Sequence, residues 1–281
     1  MTRLTTADIQ HIVTQLADYD RELTAKTGCS LRGIACHAAG IEEERFAVCM
    51  KSVIVGVIPV TSGEGAIAGF CSAVGGIVNH LGCKSFITKT TDVAGLAEAF
   101  EKEADVVMLS DDDRFVAINL RHRRVTDNTA ATACGFVAGL SLMAGGLRQK
   151  KTLVIGCGPL GCSASERLTK MGARLTLYDI DLSRCRRLAK TLTERSANRI
   201  RIENDLDRAL CDHQYIIDAT PAANIIRLQH IRSNTCIAAP GVPCGLDAEA
   251  KSKAFDRLLH DPLQIGVATM TVCALKSEIN R

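Results

Sequence analysis

Residues 152–181, TLVIGCGPLGCSASERLTKMGARLTLYDID, constrain the fold of this chain more than any other stretch. An apolar run at 152–155 predicts a buried parallel strand. Gly156, Gly158 and Gly161 then fit G-x-G-x-x-G, a helix is predicted over 160–171, and a second apolar strand at 174–178 ends in Asp179. Each part has a physical task. Gly156 permits the tight turn, Gly158 lets backbone approach a pyrophosphate, and Gly161 lets helix and strand pack closely. Free N–H groups and the dipole at the helix N-terminus favour an anion there, with Pro159 and Leu160 opening the helix. Asp179 follows Gly156 by 23 residues and is expected to accept from ribose hydroxyls, with Ile180 beside it. Its carboxylate repels a 2′-phosphate, which predicts NAD over NADP. A strand–turn–helix–strand–acid series implies a Rossmann-type, doubly wound parallel sheet in the C-terminal half of an α/β protein.

The rest of the chain fits an enzyme more readily than a nucleic-acid or membrane protein. A length of 281 residues accommodates about two domains. Net charge is +3, too small to imply nucleic acid. The one dense basic cluster of the first half, residues 121–124 (RHRR), has no aromatic platform beside it. It fits a solvated loop better than a phosphate site. No apolar run is long enough to span a bilayer. The start MTRLTTADIQHIV carries acid and alternates apolar with polar, unlike a signal peptide. Thirteen cysteines are scattered without a C-x-x-C pair, and the histidines lack metal-ligand spacing. Such thiols read as small apolar residues in a reducing cytoplasm, with no metal expected. A small-molecule substrate is expected, and a homo-oligomer stays open.

Periodicity predicts an amphipathic helix over 5–27, stopped by Gly28, and a second over 31–39. The β-rich run 52–60 ends in Thr61-Ser62-Gly63-Glu64-Gly65. Helix 66–81, strand 85–88, helix 94–103 and strand 105–109 complete a β-α-β-α-β unit ending in Ser110-Asp111-Asp112-Asp113. A small-residue helix over 127–147 leads to the glycine motif. Further strands are expected at 200–202, 215–218, 236–239 and 257–260, then a terminal helix at 265–279. The organisation is an N-terminal helical segment (1–50), an α/β substrate domain with its linking helix (51–147), the dinucleotide domain (148–262), and a C-terminal helix (263–281) returning to the substrate domain.

Residues 63–68 also fit a glycine pattern, G-x-G-x-x-A, directly after a strand. The following strand ends in Lys89 rather than an acid, and Thr61, Ser62 and Glu64 suit a polar substrate better than a second dinucleotide. A plain β-α turn fits the same residues. Ligands of open α/β sheets bind beyond the strand carboxyl ends. Asp111, Asp112 and Asp113 occupy one such end, and Asp218 and Asp261 follow later strands. Ser62, Asn119, Thr220 and Asn224 are expected to join them in one cleft. Acids beside a nicotinamide favour a cationic substrate such as an amine. Helix capping and solvated turns account for some of the same acids.

Six segments together resemble the pyrrolysine synthase (PylD) family: IPVTSGEG at 58–65, SDDDRFVAINL at 110–120, VIGCGPLG at 154–161, IIDATPAAN at 216–224, APGVPCG at 239–245 and DPLQIGVATM at 261–270. The resemblance covers residues 55–272. It implies NAD-dependent oxidation of the terminal amine carbon of 3-methyl-D-ornithyl-N6-L-lysine, then intramolecular closure to the pyrroline ring of pyrrolysine. Ser62 and Asp112 fall on substrate-site positions, with Thr61, Asn119 and Glu64 near them. The same segments add Ala219, Thr220, Pro221, Pro240 and Gly266 to the expected cofactor contacts. Asp261 stands where the family carries glutamate, one methylene longer, and Glu64 replaces an uncharged residue. Two other readings fit parts of the chain. One is another two-domain NAD-dependent amino-acid or hydroxy-acid dehydrogenase using a Lys–Asp pair, for which Lys89 is the available lysine. The other is a non-enzymatic NAD-sensing module.

Overall fold

The computed structural model describes residues 4–195 and 200–279. In chain order these form α1 (Thr6–Ile9), α2 (Ile12–Thr27), α3 (Leu31–Ala39), α4 (Glu43–Cys49), β1 (Ile54–Val57), α5 (Phe70–His80), β2 (Lys84–Ile87), α6 (Asp92–Glu101), β3 (Val106–Ser110), β4 (Phe115–Asn119), β5 (Arg124–Asp127) and α7 (Asn128–Met143). The glycine motif then lies within β6 (Lys151–Ile155), α8 (Pro159–Lys170) and β7 (Arg174–Tyr178). After it come α9 (Leu182–Arg195), β8 (Arg201–Ile202), α10 (Leu206–Asp212), β9 (Tyr215–Asp218), β10 (Cys236–Ala238), α11 (Ala248–Ala254), β11 (Leu258–Leu259) and α12 (Gln264–Ile279).

The chain divides into two compact units. The first comprises residues up to Thr24, Cys29–Gly135 and the chain from Pro262; the second comprises Ala25–Gly28 and Phe136–Asp261. The helical N-terminus is thus part of the first unit, and the division cuts α7 after Gly135 rather than following residue 147.

The first unit is built on a five-stranded sheet of order β2-β1-β3-β4-β5. The expected β-α-β-α-β unit supplies its three parallel strands. Strands β4 and β5 add an antiparallel hairpin absent from the sequence reading. In β4 the side chains of Phe115, Ala117 and Asn119 are buried while Val116 and Ile118 are half-buried. That alternation is the period-two signal of a strand covered mainly on one face. The basic cluster forms the turn of this hairpin. Arg121 pairs with Asp105 at 2.5 Å and His122 with Glu278 at 2.9 Å, so two of its four members serve the fold. Helix α6 seats Gly95 and Ala99 against Ile58 and Gly56, where a larger side chain has no room. Phe70, opening α5, meets Phe115 edge to face at 5.2 Å. Helix α12 packs on α3, α5 and β4, and Lys276 donates from Nζ to the Ala39 carbonyl.

The second unit is a six-stranded, wholly parallel sheet of order β11-β10-β9-β6-β7-β8. Chain order reverses between β6 and β9, the switch point at which such sheets bind ligands. Leu153, Ile155, Ile216, Ile237, Leu246 and Ala254 form a buried core. Full burial of a Leu or Ile contributes about 1.5–3 kcal/mol, so this core sets the frame on which the glycine loop is mounted.

Candidate functional site

In the second unit each glycine of the motif has a distinct environment. Gly156 leaves β6 with φ +91, a conformation L side chains rarely adopt. A Cβ on Gly161 would stand 1.8 Å from the Gly156 carbonyl oxygen, so only glycine permits this approach of helix to strand. Gly158 differs: its φ of −74 is ordinary, and a Cβ there would meet nothing within 4 Å. The open space in front of Gly158 lies at the N-terminus of α8, with Pro159 at its start and Leu160 half-buried. Backbone N–H groups of the first turn have no intrahelical partners and suit an anion. The cradle therefore fits a pyrophosphate.

Asp179 is fixed against the same loop. Its Oδ2 accepts from the Cys157 N–H at 2.7 Å and its Oδ1 from the Asp181 N–H at 2.8 Å. The sequence reading missed this brace, because nothing local pairs the second residue of the motif with an acid 22 positions later. Ile180 beside it is 94% exposed, an apolar side chain left facing solvent next to the expected ribose site.

The loops after β9 and β10 close on each other. A Cβ on Gly241 would lie 2.0 Å from the Thr220 carbonyl oxygen, so Thr220 and the buried Pro240 belong to adjoining loops. Ala219 is half-buried and Pro221 exposed. Asp218 does not line a cleft, contrary to expectation. It is fully buried, and its Oδ1 accepts from the Thr220 hydroxyl at 2.8 Å and the Thr220 N–H at 3.2 Å. Burial pushes its carboxyl up to about 6, against the pull of the Thr220 hydroxyl, the Thr220 N–H and the Gly245 N–H. Its task is to hold the loop.

In the first unit the loop after β1 presses on the end of β3. Gly63 has φ +61, and a Cβ there would lie 2.2 Å from the Asp111 carbonyl carbon and 2.4 Å from the Asp112 nitrogen. A Cβ on Gly65 would lie 2.3 Å from the Ser110 oxygen. These two glycines are required by contact between neighbouring strand ends. The residues 63–66 form a 3-10 turn, and α5 begins only at Phe70, so no long helix opens on this loop as α8 does on the glycine motif. Thr61 donates its N–H to Asp92 at 3.0 Å, which ties the loop to the start of α6.

Ser62 and Asp112 consequently occupy adjoining loops at strand carboxyl ends. Ser62 is exposed and its hydroxyl caps nothing in the turn. Glu64 is half-buried; burial raises its carboxyl pKa, with the Ser110 hydroxyl pulling the other way. The three aspartates separate by role. Asp111 accepts from the N–H groups of Asp113 and Arg114 at 2.8 and 2.7 Å, which holds its pKa low and shapes the β3–β4 turn. Asp112 and Asp113 are exposed, and among the described residues neither carboxylate is held by a hydrogen bond or ion pair.

Three expected site residues are placed elsewhere. Asn119 is fully buried; its amide donates to the Ala274 carbonyl at 3.0 Å and to Glu278 at 3.3 Å, and its oxygen accepts from the His122 N–H. It ties α12 to the sheet and has no group left for a substrate. Gly266 lies on α12, where a Cβ would stand 2.5 Å from the Thr132 hydroxyl of α7, so helix packing explains it. Asp261 is 2% exposed and engaged within the protein, rather than facing solvent as Asp112 does. Lys89 is exposed, and no carboxylate among the described residues holds its ammonium, which removes the observation a Lys–Asp pair needs. Among the described residues no cysteine is joined in a disulfide, and Cys157 and Cys185 approach to 3.6 Å between sulfurs. Among the described residues no group of three side chains is arranged for a metal, and no helix is long and apolar enough to cross a membrane.

Residues 8–126 match the profile of the N-terminal domain of the pyrrolysine biosynthesis protein PylD. Pyrrolysine synthase of Methanosarcina barkeri (strain Fusaro / DSM 804) is 31% identical over 277 residues, 98% of each chain. The chain belongs to the pyrrolysine synthase family. The enzyme of Methanosarcina acetivorans agrees, at 30% identity over 96% of this chain and 98% of that one. Membership makes the protein an oxidoreductase of pyrrolysine biosynthesis, and the family likeness extends well beyond the segments that first suggested it. Residues 128–230 match the C-terminal domain of alanine dehydrogenase/PNT, a nucleotide-binding domain. Solved structures share the fold. Quinate dehydrogenase from Corynebacterium glutamicum in complex with NAD superposes with a TM-score of 0.55 at 12% identity, over 80% of this chain and 93% of that one. The bifunctional methylenetetrahydrofolate dehydrogenase/cyclohydrolase FolD of Campylobacter jejuni superposes with a TM-score of 0.58 at 14% identity, over 92% and 98%.

Proposed function

We propose that this enzyme uses NAD to oxidise the terminal amine carbon of 3-methyl-D-ornithyl-N6-L-lysine and then closes the pyrroline ring of L-pyrrolysine. The observation that supports the substrate side is the close passage of Gly63 against the backbone of Asp111 and Asp112, which brings the loop carrying Ser62 against the loop carrying Asp112 at strand carboxyl ends. An ammonium cannot release hydride, so Asp112 takes a proton from the terminal ammonium, and the Ser62 hydroxyl orients the resulting amine. When bound, the oxidised nicotinamide accepts the hydride that leaves the amine carbon. The imine so formed on the substrate, or the aldehyde from its hydrolysis, is attacked by the ornithyl α-amine, and ammonia or water leaves as the ring closes. Holding that amine near the imine carbon supplies effective molarity, so positioning dominates this step. Thr61 fixes the loop through Asp92, and Glu64 adds acid to the site. Asp261 is the alternative base, and its burial argues for a supporting part.

The cofactor side rests on Asp179, whose carboxylate is braced by Cys157 where a ribose would bind. That charge favours the unphosphorylated ribose of NAD. The test incubates the purified protein with NAD and the synthetic dipeptide, following NADH by absorbance and the ring by mass spectrometry. The proposal expects one NADH per ring formed and little turnover of L-ornithine or shikimate. Absence of NADH and ring with active-concentration protein overturns it, as does faster oxidation of a hydroxy acid.

A further inference from the structure

The substrate proposed above carries several amines but also one carboxylate, at its lysyl end, remote from the carbon that is oxidised. Acids answer the amines. A carboxylate calls for a cation, and neither Ser62, Glu64 nor Asp112 supplies one. The carboxyl end of the first unit's sheet does. Strand β4 runs antiparallel to β3, and β5 antiparallel to β4, so β5 ends on the same edge as β3. The register sets Phe115 opposite Ser110 and Asp127 opposite Val116, which brings the end of β5 level with the turn after β3. Arg114 stands in that turn, in the run Asp112-Asp113-Arg114. Its main chain is locked. The N–H donates to Asp111 at 2.7 Å, and the carbonyl accepts from the Asp111 N–H at 3.0 Å. Its guanidinium is loosely held. The side chain is 59% exposed and reaches Asp127 at 3.4 Å, a long contact for an arginine–carboxylate pair. Asp127 has another duty, because its Oδ1 accepts from the Thr129 N–H at 2.9 Å at the start of α7. An exposed pair of this length contributes little, so the guanidinium can exchange Asp127 for a better partner.

We propose that Arg114 binds the carboxylate of the substrate and so makes the enzyme specific for a free amino-acid end. The inference rests on the reaction proposed above. A planar guanidinium matches a carboxylate through two parallel hydrogen bonds, which the point charge of a lysine does not provide. The placement separates charge as the substrate does. Asp112 follows β3, exposed and unengaged. The Arg114 guanidinium reaches toward the end of β5, two strands away in the order β3-β4-β5. Two strand spacings amount to about 10 Å. An acid and a cation on one edge thus stand where the two ends of a long zwitterionic substrate can meet them. The other cations of the first unit's sheet are worse placed. Lys89 follows β2, on the far side of β1 from β3, and its N–H is held by Glu98 of α6. Arg121, Arg123 and Arg124 belong to the β4–β5 turn, at the opposite end of the sheet, and Arg121 is already paired with Asp105.

Steady-state kinetics on the full chain tests this with two substrates, the synthetic dipeptide and its analogue bearing a carboxamide in place of the lysyl carboxylate. The parent should show a KM about tenfold or more higher for the amide, with kcat within about threefold, the mark of binding lost equally from ground and transition states. Arg114→Gln should raise KM for the acid by a similar factor and leave KM for the amide unchanged. Arg114→Lys should restore part of the loss. Asp127→Asn keeps the oxygen that caps α7 and removes the competing charge, so KM for the acid should hold or fall. NAD affinity should stay at the parent value in all three variants. A parent that oxidises acid and amide with equal KM overturns the assignment without any substitution. Arg114→Gln impairing both substrates equally also overturns it, as does Asp127→Asn raising KM as much as Arg114→Gln, since either result makes the pair structural. A parent that oxidises neither substrate refutes the reaction itself, a result distinct from equal turnover of the two.

Discussion

Adding one methyl group to the glycine loop should separate binding from folding, depending on which glycine receives it. At Gly158, φ −74 and ψ −173 suit any residue, and a Cβ would meet nothing within 4 Å. Gly158→Ala should therefore fold normally and gain about 0.4–1 kcal/mol from a less flexible unfolded chain. The space it fills is the approach to a pyrophosphate. Losing one charge-assisted hydrogen bond there costs about 1.5–3 kcal/mol, which weakens NAD binding by about 10- to 150-fold. At Gly161 the methyl would stand 1.8 Å from the Gly156 oxygen, more than an ångström inside any tolerable contact. Gly161→Ala must push α8 from β6, at about 1–3 kcal/mol or more, lowering the Tm by about 2–12 °C. Isothermal calorimetry with NAD and differential scanning calorimetry without it measure the two effects. If Gly158→Ala binds NAD as tightly as the parent, the open position is not the pyrophosphate approach. If Gly161→Ala melts with the parent, the close contact is not structural.

The remaining expectations concern carboxylates and thiols. Asp112→Asn should lower turnover of the dipeptide about a hundredfold or more with NAD affinity near the parent value, while Asp113→Asn stays near the parent; equal small effects would remove both from the chemistry. Asp179→Ala should weaken NAD binding and narrow the difference from NADP, and tighter binding of NADP than NAD by the parent would refute the ribose assignment. Asp218 gives a pH signature. Its folded pKa of about 6 lies above the ordinary 3.8, so its contribution to stability is fully present below 3.8 and is lost as pH rises through about 6. Relative to Asp218→Asn, the parent should lose up to about 3 kcal/mol between pH 4 and pH 7, measured by denaturant titration; a difference independent of pH contradicts the burial argument. Thiol titration of reduced, unfolded protein should find thirteen groups, and stoichiometric zinc in the native protein would show a metal site that the side chains do not suggest.

The second unit was legible because its signals are local. Buried parallel strands read as continuous apolar runs, and a turn that must bring backbone to a phosphate demands glycine at fixed spacing. Gly156, Gly158 and Gly161 are therefore set by short-range geometry, and β8, β9, β10 and β11 lie within a residue of the strands expected at 200–202, 215–218, 236–239 and 257–260. On the substrate side the strand ends nominate Ser62 and Asp112, and the fold sets them on adjoining loops; their roles belong to the proposal above. What local sequence does not encode is who faces whom. The β4–β5 hairpin was hidden because its acidic and basic turns, DDD and RHRR, read as loops of their own. Asn119 and Gly266 look like site residues by type, yet each is consumed by a contact far along the chain: Asn119 with Ala274, Gly266 against Thr132; Asp218 is buried and held by Thr220, two residues on. The second pair of glycines, Gly63 and Gly65, imitates a nucleotide loop in pattern but answers to the close passage of Ser110 and Asp111. Periodicity and turn chemistry report on neighbours in sequence. Whether a polar side chain meets solvent or a distant backbone group depends on packing, which exists only once the strands and helices have come together.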